Sequence, residues 1–150
     1  MSKALLIVIS VLFGIVLSAC IGSSSNSVVL KGASSIIGED GKLKENIGLR
    51  SAGDLFTIIL PKGANEHMLS TKEFSTAKDN QQSIGLTFYR GLSKMASENT
   101  LLGTYTISGI PKGSAMSKTV RLTLRIKGNE VVIEAVEKNS KIQLKVIGEK

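Results

Sequence analysis

Tryptophan is absent from this sequence of 150 residues, and cysteine and histidine each occur once. A single cysteine, Cys20, excludes an intrachain disulfide. His67 has no second histidine with which to build a zinc site, and we expect it in an exposed loop. One histidine leaves a serine–histidine–acid triad possible by count, but no nucleophile-elbow motif surrounds any serine. We therefore expect a protein that is not an enzyme, with no metal ion and no dissociable cofactor.

Aromatic residues are also scarce, with four phenylalanines and two tyrosines, so isoleucine, leucine and valine must form the core. The net charge is +7 at pH 7, and the lysines are spread along the chain. No basic patch is interleaved with aromatic residues on which bases could stack, which argues against a nucleic-acid partner. A soluble surface near anionic lipid is the simpler explanation of the basic excess. The sequence also lacks a phosphate-binding glycine loop, so no nucleotide is expected.

The first twenty residues have the pattern of an export signal. Lys3 precedes an apolar run from Ala4 to Val16 that only Ser10 and Gly14 interrupt. This run is shorter than the roughly 20 residues that a membrane-spanning helix needs. Its length is typical of the apolar region of a signal peptide.

The segment ends in Leu17-Ser18-Ala19-Cys20, which resembles the lipobox of bacterial lipoproteins. The resemblance implies cleavage after Ala19 and a covalent lipid on Cys20 that anchors the mature chain to a membrane. An ordinary signal peptide or an uncleaved anchor with an incidental cysteine is the alternative. Removal of Lys3 would lower the net charge from +7 to +6. Ile21, where aspartate would favour inner-membrane retention, suggests the outer membrane of a Gram-negative cell envelope.

The predicted organisation is a signal peptide at 1–19, a lipidated N-terminus and linker at 20–45, and a β-sandwich domain at 46–150. Gly22 to Ser27 is a polar linker of the flexible kind. Residues 28–45 contain small apolar islands around a turn at Gly38–Gly41. They are compatible with a short hairpin or with a partly ordered lead-in.

Alternation of apolar and polar residues dominates the chain after Ile47 and predicts strands. It is clearest from Ile84 to Tyr89, from Val120 to Ile126 and from Ile142 to Val146. With the remaining candidates there are about eight short strands, and no amphipathic helix is evident. This spacing is typical of an all-β protein with an antiparallel β-sandwich.

Several motifs resemble the peptide-binding β-sandwich domain of the seventy-kilodalton heat-shock chaperones, the DnaK type. They are F-S-T-A-K-D-N-Q-Q at Phe74–Gln82, the Asn99, Leu102 and Gly103 element, and I-S-G-I-P at Ile107–Pro111. The resemblance covers about Ile47 to Val146. It implies a groove that holds an extended peptide by backbone hydrogen bonds and takes one aliphatic side chain into a pocket.

Carried over to this sequence, the resemblance implies three groups of peptide-binding residues. Ile84 falls at the pocket floor and Ala52 and Ala77 at the two positions that arch over the peptide. Backbone groups of Ser51, Ser75 and Gly85 would face the peptide. The pocket walls would be Leu49, Leu55, Phe74, Leu86 and Val120.

Ala52 departs from the family pattern, where a long apolar residue is usual, and it implies a more open and weaker groove. The sequence contains neither the ATPase domain nor the helical lid of the family. One hypothesis is therefore a membrane-tethered, ATP-independent, holdase-like protein that binds unfolded or extended segments. The other is a structural lipoprotein that docks an envelope partner through the surface of its sandwich, because fold resemblance does not by itself transfer function.

Overall fold

The structure, a computed structural model, describes residues 27–149, and the predictions for the signal peptide and Cys20 lie outside the described residues. Two antiparallel sheets pack against each other, which confirms the predicted all-β sandwich. One sheet has the strand order β1-β8-β7-β4 and the other β3-β2-β5-β6-β9. The strands are β1 Val28–Val29, β2 Asn46–Ser51, β3 Leu55–Leu60, β4 Leu69–Ser75, β5 Ser83–Gly91, β6 Thr100–Ser108, β7 Thr119–Lys127, β8 Glu130–Glu137 and β9 Lys145–Gly148.

The four-stranded sheet is built around β7, whose alternating sequence places every second side chain in the core. Val120, Leu122, Leu124 and Ile126 are buried, whereas the arginines between them lie on the outer face. β7 pairs with β8 from Val120 to Lys127, and the connecting turn contains Gly128 at φ +59°. A positive φ at the first position of a two-residue hairpin turn is the conformation that glycine adopts without steric cost.

The five-stranded sheet is irregular at two points. The register of β2 against β3 shifts between Ile47 and Gly48, and that of β5 against β6 shifts between Phe88 and Tyr89. At Gly48 a Cβ atom would lie 2.2 Å from the carbonyl oxygen of Thr57. Only glycine allows the two backbones to approach this closely.

Residues 28–45, whose structure the sequence left open, are an ordered part of the sandwich. β1 pairs with β8, a 3-10 turn follows at Ser34–Ile36, and Ile37 and Leu43 form an antiparallel bridge. Four apolar side chains of this segment enter the main core: Leu30, Ala33, Ile36 and Leu43. Hydrogen bonds join Leu43 N to Ala64 O (2.9 Å) and Gly63 N to Leu43 O (2.8 Å), so the segment closes the end where β3 finishes.

The loop between β5 and β6, residues Leu92–Asn99, forms a strap over the outer face of the five-stranded sheet. Ala96 is buried against Phe56 and Tyr89 in a small second core. Phe56 N donates to Lys94 O (2.9 Å), so the strap also pairs with the free edge of β3. Within the described part of the chain, no helix is long and apolar enough to cross a membrane.

Candidate functional site

Two loops that carry predicted site residues lie at one end of the sandwich. β2 ends at Ser51 and is followed by a 3-10 turn at Ala52–Asp54, which leads into β3. β4 ends at Ser75, and the loop of residues 76–82 leads into β5. Because the strands of each sheet are antiparallel, this end lies opposite the one that residues 28–45 close.

The central feature of this end is a stretch of β5 with a free edge. β5 pairs with β6 from Ser83 onward, but its pairing with β2 covers only Phe88 to Gly91. In residues 27–149, no strand pairs with Ser83–Thr87 on the β2 side. Five residues at about 3.3 Å each leave an edge of roughly 16 Å with backbone donors and acceptors. We call the space beside this edge, between the β2–β3 turn and the β4–β5 loop, the groove.

The structure brings the eleven predicted peptide-binding residues to this end in three layers. Leu49, Leu86 and Val120 belong to the closed core, and Val120 has no exposed surface. Phe74 and Ile84 are partly buried and pack against that core from the groove side. The other six are exposed at the rim: Ser51, Ala52, Leu55, Ser75, Ala77 and Gly85. The apolar surface that a ligand could contact directly is therefore provided by Phe74, Ile84 and Leu55, which is 54% exposed.

The β4–β5 loop is held in shape by Gln81, whose role the sequence analysis missed. Its Oε1 accepts hydrogen bonds from Ala77 N (2.7 Å) and Lys78 N (3.2 Å). Its Nε2 donates to Ser83 O (3.0 Å), at the start of the free edge. The sequence signal for this role is the D-N-Q part of the motif at Phe74–Gln82.

A second loop, between β6 and β7, supports the first from behind. Asn80 N donates to Gly113 O (2.7 Å), Met116 N donates to Thr76 O (2.7 Å), and Ala115 N donates to Asp79 Oδ1 (2.7 Å). These bonds fix the β4–β5 loop on the side away from the groove.

The opposite rim, the β2–β3 turn, is organised by Asp54. Asp54 has φ +63° and follows Gly53 at φ +73°. Its Oδ1 accepts a hydrogen bond from Arg50 Nε (2.6 Å), and its Oδ2 accepts bonds from the backbone N and the hydroxyl of Ser97 in the strap. The hydroxyl of Ser97, followed by the guanidinium of Arg50, lowers the pKa of Asp54 below its ordinary value.

A buried carboxylate, Glu137, lies where β8 ends at this same end of the sandwich. It accepts hydrogen bonds from Ser140 N (2.7 Å) and from the Ser140 hydroxyl. These bonds, led by the hydroxyl, lower the pKa of Glu137 although its burial acts in the opposite direction. The hydrogen bonds to Ser140 make Glu137 part of the turn after β8.

His67 lies far from the groove, in the loop between β3 and β4 at the other end of the sandwich. Its side chain is 83% exposed, and its Nε2 lies 4.0 Å from Glu66 Oε1. The described residues include no group of three or more histidine, cysteine, aspartate or glutamate side chains that could hold a metal ion.

These features define a class of protein: a two-layer β-sandwich with a free strand edge between two braced loops. The chain belongs to the Hsp70 family, because the family model described as "Hsp70 protein" matches residues 21–149.

Three relatives illustrate the similarity. The chain is 32% identical over 96 residues to the chaperone protein DnaK of Halobacterium salinarum (strain ATCC 29341 / DSM 671 / R1), covering 63% of this chain and 15% of the relative. It is 28% identical over 102 residues to a chaperone protein HscA homolog of Actinobacillus pleuropneumoniae serotype 5b (strain L20), covering 67% and 16%. It is 30% identical over 96 residues to DnaK of Anaplasma marginale (strain St. Maries), covering 63% and 15%. The chain thus spans about one sixth of the length of these relatives.

Proposed function

We propose that this protein binds extended, apolar segments of unfolded proteins in the groove. The free edge of β5 at Ser83–Thr87, with Ile84 beside it, is the observation that carries the proposal. An extended peptide can add to such an edge by backbone hydrogen bonds, while its alternate side chains face the groove. One aliphatic side chain of the peptide would pack on Ile84 and Phe74.

We further propose that binding is a simple equilibrium that uses no nucleotide and involves no catalytic step. Both arch positions, Ala52 and Ala77, carry only an exposed methyl group and can cover little of a bound chain. An extended peptide loses conformational entropy when it becomes ordered, and weak cover returns little of that loss. The expected affinity is no better than micromolar, about −8 kcal/mol.

The proposed location is the cell envelope, with the domain tethered to a membrane by lipid on Cys20. The apolar run before Leu17-Ser18-Ala19-Cys20 and the polar linker after it support this proposal. A lipid anchor would hold the groove near newly exported, still unfolded chains. If the cell is Gram-negative, Ile21 favours the outer membrane over the inner one.

A second candidate function is docking of an envelope protein on the outer face of the five-stranded sheet. One row of paired residues crosses four strands there, namely Ile58, Gly48, Tyr89 and Leu101. Ile58 is 49% and Leu101 57% exposed, so the two ends of the row present apolar surface outside the groove. Tyr89 between them is covered by the strap. In this function, the sandwich is a scaffold and the groove need not bind anything.

A peptide titration separates the two functions. A fluorescent, leucine-rich heptapeptide is titrated onto the purified full chain and onto its Ile84→Phe variant, in which the larger ring fills the space beside β5. Ile147→Phe is the matched control, because Ile147 is 42% exposed on β9, away from the groove. We expect roughly micromolar binding that weakens about tenfold or more in Ile84→Phe only. No binding up to millimolar peptide, or equal affinity in both variants, would exclude the groove as a peptide site.

A further inference from the structure

The charges around the groove are unequal on its two sides. On the β2–β3 side, Arg50 and Asp54 form an ion pair at 2.6 Å and neutralise each other. The other side is formed by the end of β4, the β4–β5 loop and the β6–β7 loop that supports it. These segments carry the lysines Lys72, Lys78, Lys112 and Lys118 and the acidic residues Glu73 and Asp79.

Two of the four lysines lie on the rim of the groove, and the other two lie on the β6–β7 loop behind it. Lys72 lies on the same face of β4 as Phe74, because side chains two residues apart on a strand point to the same side. Lys78 directly follows Ala77 at the rim. Lys118 O accepts a hydrogen bond from Thr76 N (3.0 Å), one residue before Ala77.

Lys112 belongs to the supporting β6–β7 loop and lies next to Gly113. The carbonyl of Gly113 accepts the hydrogen bond from Asn80 N at 2.7 Å, which brings Lys112 to the rear of the rim loop.

The acidic residues do not cancel this charge. Glu73 lies on the outer face of its sheet, where it pairs with Arg121 (3.0 Å) and Lys138 (2.9 Å). Asp79 uses Oδ1 to accept the hydrogen bond from Ala115 N and has no cation within 4.0 Å in residues 27–149. None of the four lysines pairs with a carboxylate within 4.0 Å in that part of the chain. With the paired Glu73 set aside, Lys72, Lys78, Lys112 and Lys118 against Asp79 give these segments a net charge of +3. The buried carboxylate of Glu137, at the end of β8, lies outside these segments.

We propose that the groove selects apolar segments that are flanked by acidic residues. This inference rests on the proposed function and names its substrate class. A peptide bound beside β5 carries its flanking residues past the lysine side, and the field of the uncompensated lysines extends over about one Debye length (8–10 Å at physiological salt). This field increases the affinity of a peptide with acidic flanks and decreases that of a peptide with basic flanks. Added salt weakens both effects.

The test uses three heptapeptides that share one leucine-rich core, with two aspartates, two serines or two lysines as flanks. Each is titrated onto the full chain at low and at high salt. At low salt we expect the acidic peptide to bind about three- to tenfold more tightly than the neutral one, and the basic peptide to bind more weakly than both. At high salt the three affinities should converge.

Two double variants determine whether the charge near the groove is responsible. Lys72→Gln with Lys78→Gln, which removes the two lysines on the rim, should reduce the ratio of the acidic-peptide affinity to the neutral-peptide affinity. Lys44→Gln with Lys62→Gln changes the net charge equally at the opposite end and should preserve the preference. Binding of the neutral peptide with no difference between acidic and basic flanks would overturn the charge proposal while the groove function stands. Failure of all three peptides to bind would overturn both.

Discussion

Leu30 tests whether residues 28–45 are structurally part of the sandwich, and we predict that Leu30→Ala strongly destabilises it. Leu30 is 1% exposed, and its backbone N donates to Val131 O at 2.8 Å. Truncating a buried leucine to alanine lowers the free energy of unfolding by about 2–5 kcal/mol, depending on how far the surroundings relax into the cavity. Leu30 packs at the end of the core, beside a short turn that can shift, so we expect the lower part of this range, about 2–3 kcal/mol.

Thermal unfolding of the full chain, followed by circular dichroism, measures this effect. For a domain of this size, each kcal/mol lowers Tm by about 4 °C, so Leu30→Ala should unfold roughly 8–12 °C below the wild type. Leu69→Ala is the matched control, since Leu69 is 61% exposed on the edge strand β4 and should cost no more than about 0.5 kcal/mol. Equal Tm values for the two variants would refute the packing of residues 28–45 into the core.

Three further predictions concern the rim, the buried carboxylate and the anchor. Ser97→Ala removes a hydroxyl donor to Asp54, and amide hydrogen exchange at Gly53 and Asp54 should accelerate; unchanged exchange would contradict a bracing role of the strap. Glu137 has a folded-state pKa below its ordinary value of 4.5, so the stability it contributes is present above that pH and is lost as pH falls through the folded pKa. The Glu137→Gln variant should thus be less stable than the wild type at pH 7 and lose less stability when the pH is lowered. Chemical denaturation measures the free energy of unfolding at each pH, and parallel pH profiles of the two proteins would refute this. Cys20→Ala should leave an unlipidated precursor, and mass spectrometry showing normal processing would argue against the lipoprotein hypothesis.

A strand was predictable from the sequence where it pairs with a strand on each side, because its residues then alternate regularly between the core and the outer face. β7 is paired along its length with β4 and β8, so its buried and outer residues follow the sequence pattern closely. The predicted strand from Ile142 to Val146 differs, because the chain changes sheets within it. Leu144 N bonds to Ala135 O in β8, whereas Val146 pairs with Ile107 in β6. The alternation of apolar and polar residues is the same whichever strand is the pairing partner, so it does not reveal that the chain changes sheets.

Elements that depend on distant partners were less accessible to sequence reasoning. Residues 28–45 have only short apolar islands, and their structure is determined by pairing of β1 with β8 about a hundred residues later. The strap around Ala96 is mostly polar, and nothing in its sequence indicates that it covers Phe56 and Tyr89. Glu137 has a residue type typical of surfaces, although it is buried.

For the groove, the sequence indicated which positions are apolar but not how deeply each side chain is buried. Leu49 and Ile84 are equally apolar in the sequence, yet Leu49 lies in the closed core and Ile84 lies partly exposed beside the free edge. The difference arises because β2 stops pairing with β5 after Leu49. Where two strands separate is decided by the loops next to them, and those loops are held by hydrogen bonds that Gln81 and Asp54 accept.

In the proposed function, the two ends of the sandwich have separate tasks, and Leu30→Ala tests this as well. Its cavity would open at the end that residues 28–45 close, whereas Ile84 and the free edge of β5 lie at the other end. Interior packing transmits strain, but additivity usually holds for sites that are far apart and share no partners. At a temperature where Leu30→Ala is still folded, its affinity for the leucine-rich heptapeptide should therefore equal that of the wild type, despite the loss of stability. A proportionate loss of peptide affinity would show instead that closing one end of the sandwich holds the loops of the groove in place at the other.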